Sequence, residues 1–211
     1  MTTAPITPNT SVPASTSSSA YAGATPPAVA GVMLGDAIKR YRRWVTNHRI
    51  VAAALGGFVG VHIATICGFF MPGVGLPRLD WNTVNGMIYT PTGSPNVQFL
   101  SGAIFHYTDG IVFGIMYALT LHLLLKRWRS STAGNVVKGL VFGTILATIS
   151  AAFMAPRVYY PSAHVGFFSH NLGWKVVFAI YVWHWIYGLH LGTVYNPRDD
   201  RELAEEGDVA S

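Results

Sequence analysis

Two copies of one pattern carry the residues of this sequence that are best suited to chemistry. They read His106-x3-Gly110-x3-Gly114-x2-Tyr117 and His184-x3-Gly188-x3-Gly192-x2-Tyr195. An imidazole can bind a metal ion or a haem iron, or can carry a proton near neutral pH. The two histidines are therefore the first candidates for binding a cofactor, either haem b or a transition-metal ion.

Asp109 adds a carboxyl group three residues after His106. Residues at this spacing lie on the same side of a helix, so the carboxylate can fix the tautomer of the imidazole or stabilise its charged form. Histidine and aspartate together suit copper, iron or zinc. The candidate metal ligands are thus His106, Asp109, His184, His62, His164 and His170.

Other interpretations of these histidines stay open. Intramembrane histidines can hydrogen-bond between helices without any cofactor. A two-haem bundle usually repeats its histidine spacing in two helices, whereas His122 lies much further from His106 than His190 does from His184. We therefore retain polar contacts between helices, a metal or haem centre, and proton transfer. The only cysteine, Cys67, excludes an intramolecular disulfide and a cysteine-based zinc site.

Four apolar runs must position these residues. The chain has 211 residues, of which 51% are hydrophobic and only 11% are charged. A transmembrane helix needs about 20 apolar residues, and the runs lack the polar face of a soluble helix. The predicted fold class is all-α, a polytopic membrane protein with four transmembrane helices near Arg49–Met71, Val97–Leu125, Asn135–Ala155 and Trp174–Tyr195.

The basic residues predict the orientation of these helices. Most lysines and arginines lie before the first run, between the second and third, or after the fourth, and the opposite side holds Arg78, Arg157 and Lys175. The positive-inside rule then places both termini in the cytoplasm. The net charge of +5 is explained by lipid headgroups beside the helices, so we expect the bilayer, and no nucleic acid, as its partner.

The order of the apolar runs predicts two parallel helical hairpins. The helix before each histidine carries small residues at every fourth position, Gly56-x3-Gly60-x3-Ala64-Thr65 in one copy and Gly139-x3-Gly143-x3-Ala147-Thr148 in the other. Such grooves let helices approach closely in lipid. We expect Gly110, Gly114, Gly188 and Gly192 to form a packing motif, with His106 and His184 at one depth across an axis along the membrane normal.

The predicted organisation has five parts. Residues 1–30 form a disordered cytoplasmic tail, residues 31–48 a basic interfacial segment, either helical or irregular, and residues 198–211 an acidic cytoplasmic tail. The first hairpin spans residues 49–126 and the second residues 134–197. The long connection within the first hairpin, Pro72 to Asn96, is rich in proline, and we expect it to be non-helical.

These small-residue patterns resemble those of small bacterial four-helix inner-membrane proteins of uncharacterised families, including the YagU-like proteins. The resemblance covers about residues 50–197. It implies a four-helix fold and a location in the bacterial inner membrane, and it implies no activity.

The leading functional interpretation is a non-enzymatic accessory or scaffold subunit. It would associate with other membrane-protein subunits, or with itself, through glycine-rich helix faces and aromatic outer loops. The alternative is a redox or metal-binding subunit, for example of a membrane oxidoreductase, that uses the intramembrane histidines. A third interpretation is a small transporter in which Asp109 carries a proton.

Overall fold

The computed structural model describes residues 27–125 and 131–198, and all regular secondary structure in these ranges is helical. The long helices are α1 (Pro27–Asn47), α2 (Arg49–Phe70), α4 (Pro95–Leu119), α6 (Thr132–Ile149) and α7 (Trp174–Val194). The short helices are α3 (Trp81–Tyr89) and α5 (Leu121–Leu124). Two 3-10 turns, Met71–Val74 and Phe167–Leu172, and a π-helical segment, Ser150–Tyr159, complete the secondary structure of the described residues.

Three helical segments in the described residues are long and apolar enough to cross a membrane. They are Arg49–Val74, Pro95–Leu124 and Thr132–Tyr159. The all-helical membrane character predicted from the sequence is thereby confirmed. The fourth helix, α7, is 21 residues long but carries tryptophans, tyrosines and two histidines that lower its hydropathy. Its role as a fourth span stays a prediction.

The chain divides into two compact units, residues 1–37 and residues 38–211. Within the second unit, the end of α1 packs on the end of α7. The Tyr41 hydroxyl donates to the Val194 carbonyl at 2.6 Å, and the backbone N–H of Arg198 donates to the Thr46 hydroxyl at 2.9 Å. Residues 31–47 are thus helical, the first of the two conformations considered. The tail predictions for residues 1–26 and 199–211 lie outside the described residues.

The long helices of the second unit pack in the order α4, α2, α7, α6, and α3 lies against α4. The two central helices, α2 and α7, therefore make the contact between the hairpins. Lys138, Asn135 and Arg198 lie at one end of this arrangement with the end of α1, and α3 lies at the other. We call these the basic end and the α3 end.

Glycines bring the helices of each hairpin into backbone contact. A Cβ atom on Gly57 would collide with the carbonyl oxygen of Gly110, and one on Gly139 would collide with the carbonyl oxygen of Gly188. Glycine is needed here because any side chain would separate the two backbones. The predicted packing motif is thus present in both α4 and α7.

The groove predicted on α2 is present, and it packs on the other hairpin. Gly56 approaches Leu191 and Gly60 approaches Tyr187, so both face α7, whereas Gly57 faces α4. Neighbouring positions point about 100° apart on a helix of 3.6 residues per turn. Because Gly56 and Gly57 have no side chains, α2 is narrow on two neighbouring sides and can pack closely on α4 and α7 at once.

The expectation that Pro72 to Asn96 is non-helical is wrong for the nine residues Trp81–Tyr89 and for Pro95 and Asn96, which begin α4. Helix α3 occupies Trp81–Tyr89 because the prolines lie outside it, at Pro77 and Pro91. Asp80 caps its first turn by accepting the backbone N–H of Thr83 at 3.1 Å.

We expect Gly57→Val to destabilise the protein, because the added atoms would force α2 away from the Gly110 carbonyl. Overpacking of this kind costs about 1–3 kcal/mol or more. Thermal unfolding in detergent, followed by tryptophan fluorescence, should show a lower Tm. Gly73→Ala is the control, since a Cβ there meets nothing within 4 Å. Equal Tm values for both variants would contradict the close packing of α2 on α4.

Candidate functional site

A cavity of about 440 Å³ lies between α4 and α6, the two outermost of the four packed helices. Its back wall comes from the central helices and includes Val61, Trp183, His184 and Tyr187. The cavity exists because α2 and α7 hold α4 and α6 apart. It narrows towards the basic end, where the rings of Tyr117 and Phe142 meet with centroids 5.3 Å apart.

The cavity opens at the surface between α4 and α6. Met116, Ile145 and Ile149 all line it, yet they are 45%, 41% and 48% exposed. These residues lie inside two of the three candidate membrane spans. The opening therefore lies on the outer surface of two helices that are long and apolar enough to cross a membrane.

Aromatic side chains from three elements form the wall at the α3 end. Trp81 on α3 lies 5.5 Å from Tyr159 and 6.4 Å from Trp183, measured between ring centroids. All three line the cavity, together with Tyr89. The close packing of α3 on α4 holds Trp81 in place, because a Cβ on Gly102 would collide with the Asn82 carbonyl.

His106 is buried, and its ring is held by a threonine. The Thr65 hydroxyl donates to the Val61 carbonyl at 2.7 Å, so its oxygen accepts the proton on Nε2 of His106 at 3.2 Å. A bis-histidine haem would need Nε2 of His106 for the iron or a rearrangement to Nδ1. The observed bond therefore favours a neutral imidazole that is fixed in position.

His184 has the opposite tautomer. Its Nδ1 lies 2.7 Å from the Ile180 carbonyl, which can only accept, so Nδ1 carries the proton. Nε2 is then unprotonated and has a free lone pair, on a ring that lines the cavity. His184 can accept a hydrogen bond from a ligand or bind a metal ion. Trp183 lies between the histidines, with ring centroids 5.3 Å from His106 and 5.0 Å from His184.

Asp109 lines the same cavity as the two histidines. Among the described residues its carboxyl group has neither a hydrogen-bond partner nor an ion-pair partner. No lysine or arginine in the part of the chain that the structure describes lines the cavity. Asp109 lies in a candidate membrane span. A charged carboxyl group in such a span raises the free energy of the folded protein unless a proton or a ligand compensates its charge.

Three of the six candidate metal ligands thus line one cavity, and the other three do not. His62 is exposed on α2, with Nδ1 2.8 Å from the Tyr107 hydroxyl. His164 and His170 lie in the connection before α7, where Nδ1 of His170 donates to the Phe167 carbonyl. No group of three or more His, Cys, Asp or Glu side chains in the described ranges could hold a metal ion, so the structure does not support the metal prediction.

Sequence reasoning missed several residues of the site. Tyr187 follows His184 by the same three positions that separate Asp109 from His106, and its hydroxyl donates to the Gly110 carbonyl at 2.8 Å. This spacing could have identified it. Ser150 lies where α6 becomes π-helical, and such segments often occur at functional sites. Asn85 could not have been found, because only packing brings α3 over the cavity.

Comparison with known proteins shows the family of this chain. Residues 47–205 match DUF6789, a family of unknown function, and the chain belongs to that family. The match covers all four long helices that surround the cavity. No curated protein and no solved structure matches the chain. The resemblance to YagU-like proteins stays a prediction.

We expect the two histidines to show different tautomers in ¹⁵N NMR spectra of the histidine-labelled protein in detergent. His184 should carry its proton on Nδ1, because the Ile180 carbonyl accepts it, and His106 should carry its proton on Nε2. Thr65→Val should perturb the His106 signals and leave those of His184 unchanged. The same tautomer for both rings would contradict the hydrogen-bond assignment.

Proposed function

We propose that this member of the DUF6789 family binds a small amphipathic molecule in the cavity between α4 and α6, taking it up laterally from the membrane. In this proposal the protein is not an enzyme on its own. It acts as a ligand-binding accessory subunit or carrier. The observation that carries the proposal is an apolar cavity with convergent polar side chains that opens between two candidate membrane spans.

The composition of the cavity supports an amphipathic ligand. Apolar and aromatic side chains such as Phe113, Leu146 and Phe142 form most of the lining, and they suit a hydrocarbon or aromatic body. Asp109 and His184 line the same cavity and suit a polar head. A ligand oriented in this way would leave its apolar end at the opening between α4 and α6.

We further propose that α7 is a fourth transmembrane helix and that both termini are cytoplasmic, in the bacterial inner membrane. Helix α7 packs against two of the candidate spans, α2 and α6, which supports the same depth in the membrane for all three. Lysines and arginines at the basic end, such as Arg49 and Lys138, outnumber the three at the other end, which supports this orientation.

A role as a scaffold for other membrane proteins would need surfaces other than the glycine faces. Gly110, Gly114, Gly188 and Gly192 all pack within the chain and present no groove to a partner. The aromatic residues of the connection before α7 are available instead, since Phe167 and Trp174 are 82% and 71% exposed. Association with partner subunits or self-association would therefore use this end of the molecule.

The redox alternative has one specific observation in its favour, the unprotonated Nε2 of His184 on the cavity wall. An absorption spectrum and metal analysis of the purified protein test it. We expect no Soret band and no stoichiometric metal, because the Thr65 bond already uses Nε2 of His106. A Soret band or bound metal that disappears in His184→Ala would overturn this expectation.

We expect a bulky residue at the opening to weaken ligand binding. An uncharged aromatic probe, 1-aminoanthracene, should bind to the protein in lipid nanodiscs with increased fluorescence. Ile149→Trp narrows the opening of the cavity. It should weaken the affinity for the probe about tenfold, because overfilling a packed site has a free-energy cost of this size. Ile104→Trp is the control, because Ile104 is 67% exposed on α4 and does not line the cavity. Equal binding by wild type and both variants would place the probe elsewhere.

A further inference from the structure

We propose that the ligand of this cavity is an organic cation, an amine or quaternary ammonium group on an apolar body, held by Asp109 and the surrounding aromatic rings. The inference rests on the proposed function and specifies its ligand class. It depends on the carboxyl group, the aromatic rings and the neutral histidines that line the cavity. It also depends on the lack of lysine and arginine among the described lining residues.

The first argument is the uncompensated charge of Asp109. Its carboxyl group lies on the cavity wall, and no described residue forms a hydrogen bond or ion pair with it. Among the described residues, no lysine or arginine lines the cavity. Intramembrane carboxylates usually pair with a positive group. In this cavity the positive group must come from the ligand, or a proton must take its place.

The second argument is the aromatic wall beside this carboxyl group. Trp81, Tyr159 and Trp183 form one cluster, with ring centroids 5.5 Å and 6.4 Å apart. The indole nitrogens of Trp81 and Trp183 are fully buried, so the two side chains line the cavity with ring carbon rather than with N–H donors. The faces of such rings attract cations, and the aromatic cages that bind quaternary ammonium groups are built from rings of these types.

The third argument is the protonation of the histidines. His184 uses its only proton on the Ile180 carbonyl and keeps a lone pair on Nε2. His106 uses its proton on Thr65. Both rings are therefore neutral acceptors on the cavity wall, and neither competes with a cation for Asp109. The lone pair of Nε2 can accept an N–H proton from a protonated amine.

An uncharged ligand with a carbonyl head, such as a quinone, fits these observations less well. Its oxygen can accept hydrogen bonds from Asn85, Ser150 or Tyr159, which line the cavity. It would, however, leave Asp109 without a counter-charge. Comparing the binding of a cation with that of an uncharged compound of the same shape therefore distinguishes a cationic ligand from an uncharged carbonyl ligand.

The test is displacement of 1-aminoanthracene from the full-length protein in nanodiscs by benzyltrimethylammonium or by neopentylbenzene, which has the same shape without the charge. We expect the cation to displace the probe at about tenfold or more lower concentration, as a desolvated cation–π and charge interaction provides. Asp109→Asn should abolish this preference, and Asp109→Glu should retain it. Asp36→Asn, at an exposed site on α1, should change nothing.

Each outcome separates this inference from the proposed function. Equal displacement by both compounds, or a preference for the cation that survives in Asp109→Asn, would overturn the cation inference and leave a lateral ligand site standing. Displacement by neither compound would also overturn it. Failure of the probe itself to bind, with wild type and Ile149→Trp alike, would overturn both. Gel filtration of Asp109→Asn and Asp109→Glu confirms that each variant is folded before its binding is compared.

Discussion

The contact of backbone with backbone at the glycines of α2 with α4, and of α6 with α7, is the constraint on which the rest of the structure depends. Apolar side chains drive no association between helices that are already in lipid, so close van der Waals packing has to do it. At Gly57 and Gly139 the neighbouring carbonyl oxygens leave no room for a side chain. This packing fixes the spacing within each hairpin, and the double glycine of α2 also lets this helix pack closely on α7.

The cavity is a consequence of the same arrangement. The central pair, α2 and α7, separates α4 from α6. The gap between α4 and α6 extends from the contact of the Tyr117 and Phe142 rings to the α3 end. The groove between them is closed at the α3 end by Trp81 and Tyr159. A fifth helix or a lipid chain would fill such a groove in many bundles. Here its wall carries Asp109 and His184, which need a polar group in the same place.

The two hairpins use equivalent positions for different purposes, and this asymmetry forms the site. His62 contacts the Tyr107 hydroxyl, and in the second hairpin Trp185, the equivalent of Tyr107, donates to the Thr144 hydroxyl at 3.0 Å. His106 has Thr65 as its partner, whereas Thr148, the equivalent of Thr65, contacts the Tyr181 hydroxyl and His184 bonds to its own helix. Asp109 and Tyr187 also hold matching positions. The first hairpin supplies the carboxyl group of Asp109. The second supplies the hydroxyl of Tyr187, which links α7 to α4 by donating to the Gly110 carbonyl.

The sequence by itself determined the helical class with membrane-length apolar segments and the two glycine motifs, because apolar length and small-residue spacing act locally along a helix. It also grouped His106, Asp109 and His184, which line one cavity. Only the tertiary structure decided that α2 offers Gly57 to α4 and Gly60 to α7, since the side that faces each neighbour depends on how the hairpins pack. It also placed Trp81 over the cavity and His62 outside it. Helix α3 was not predicted because proline disfavours the interior of a helix. The positions of the prolines alone do not show whether the residues between them form a helix. The two tautomers likewise depend on partners a helical turn or an entire helix away, which no local pattern contains.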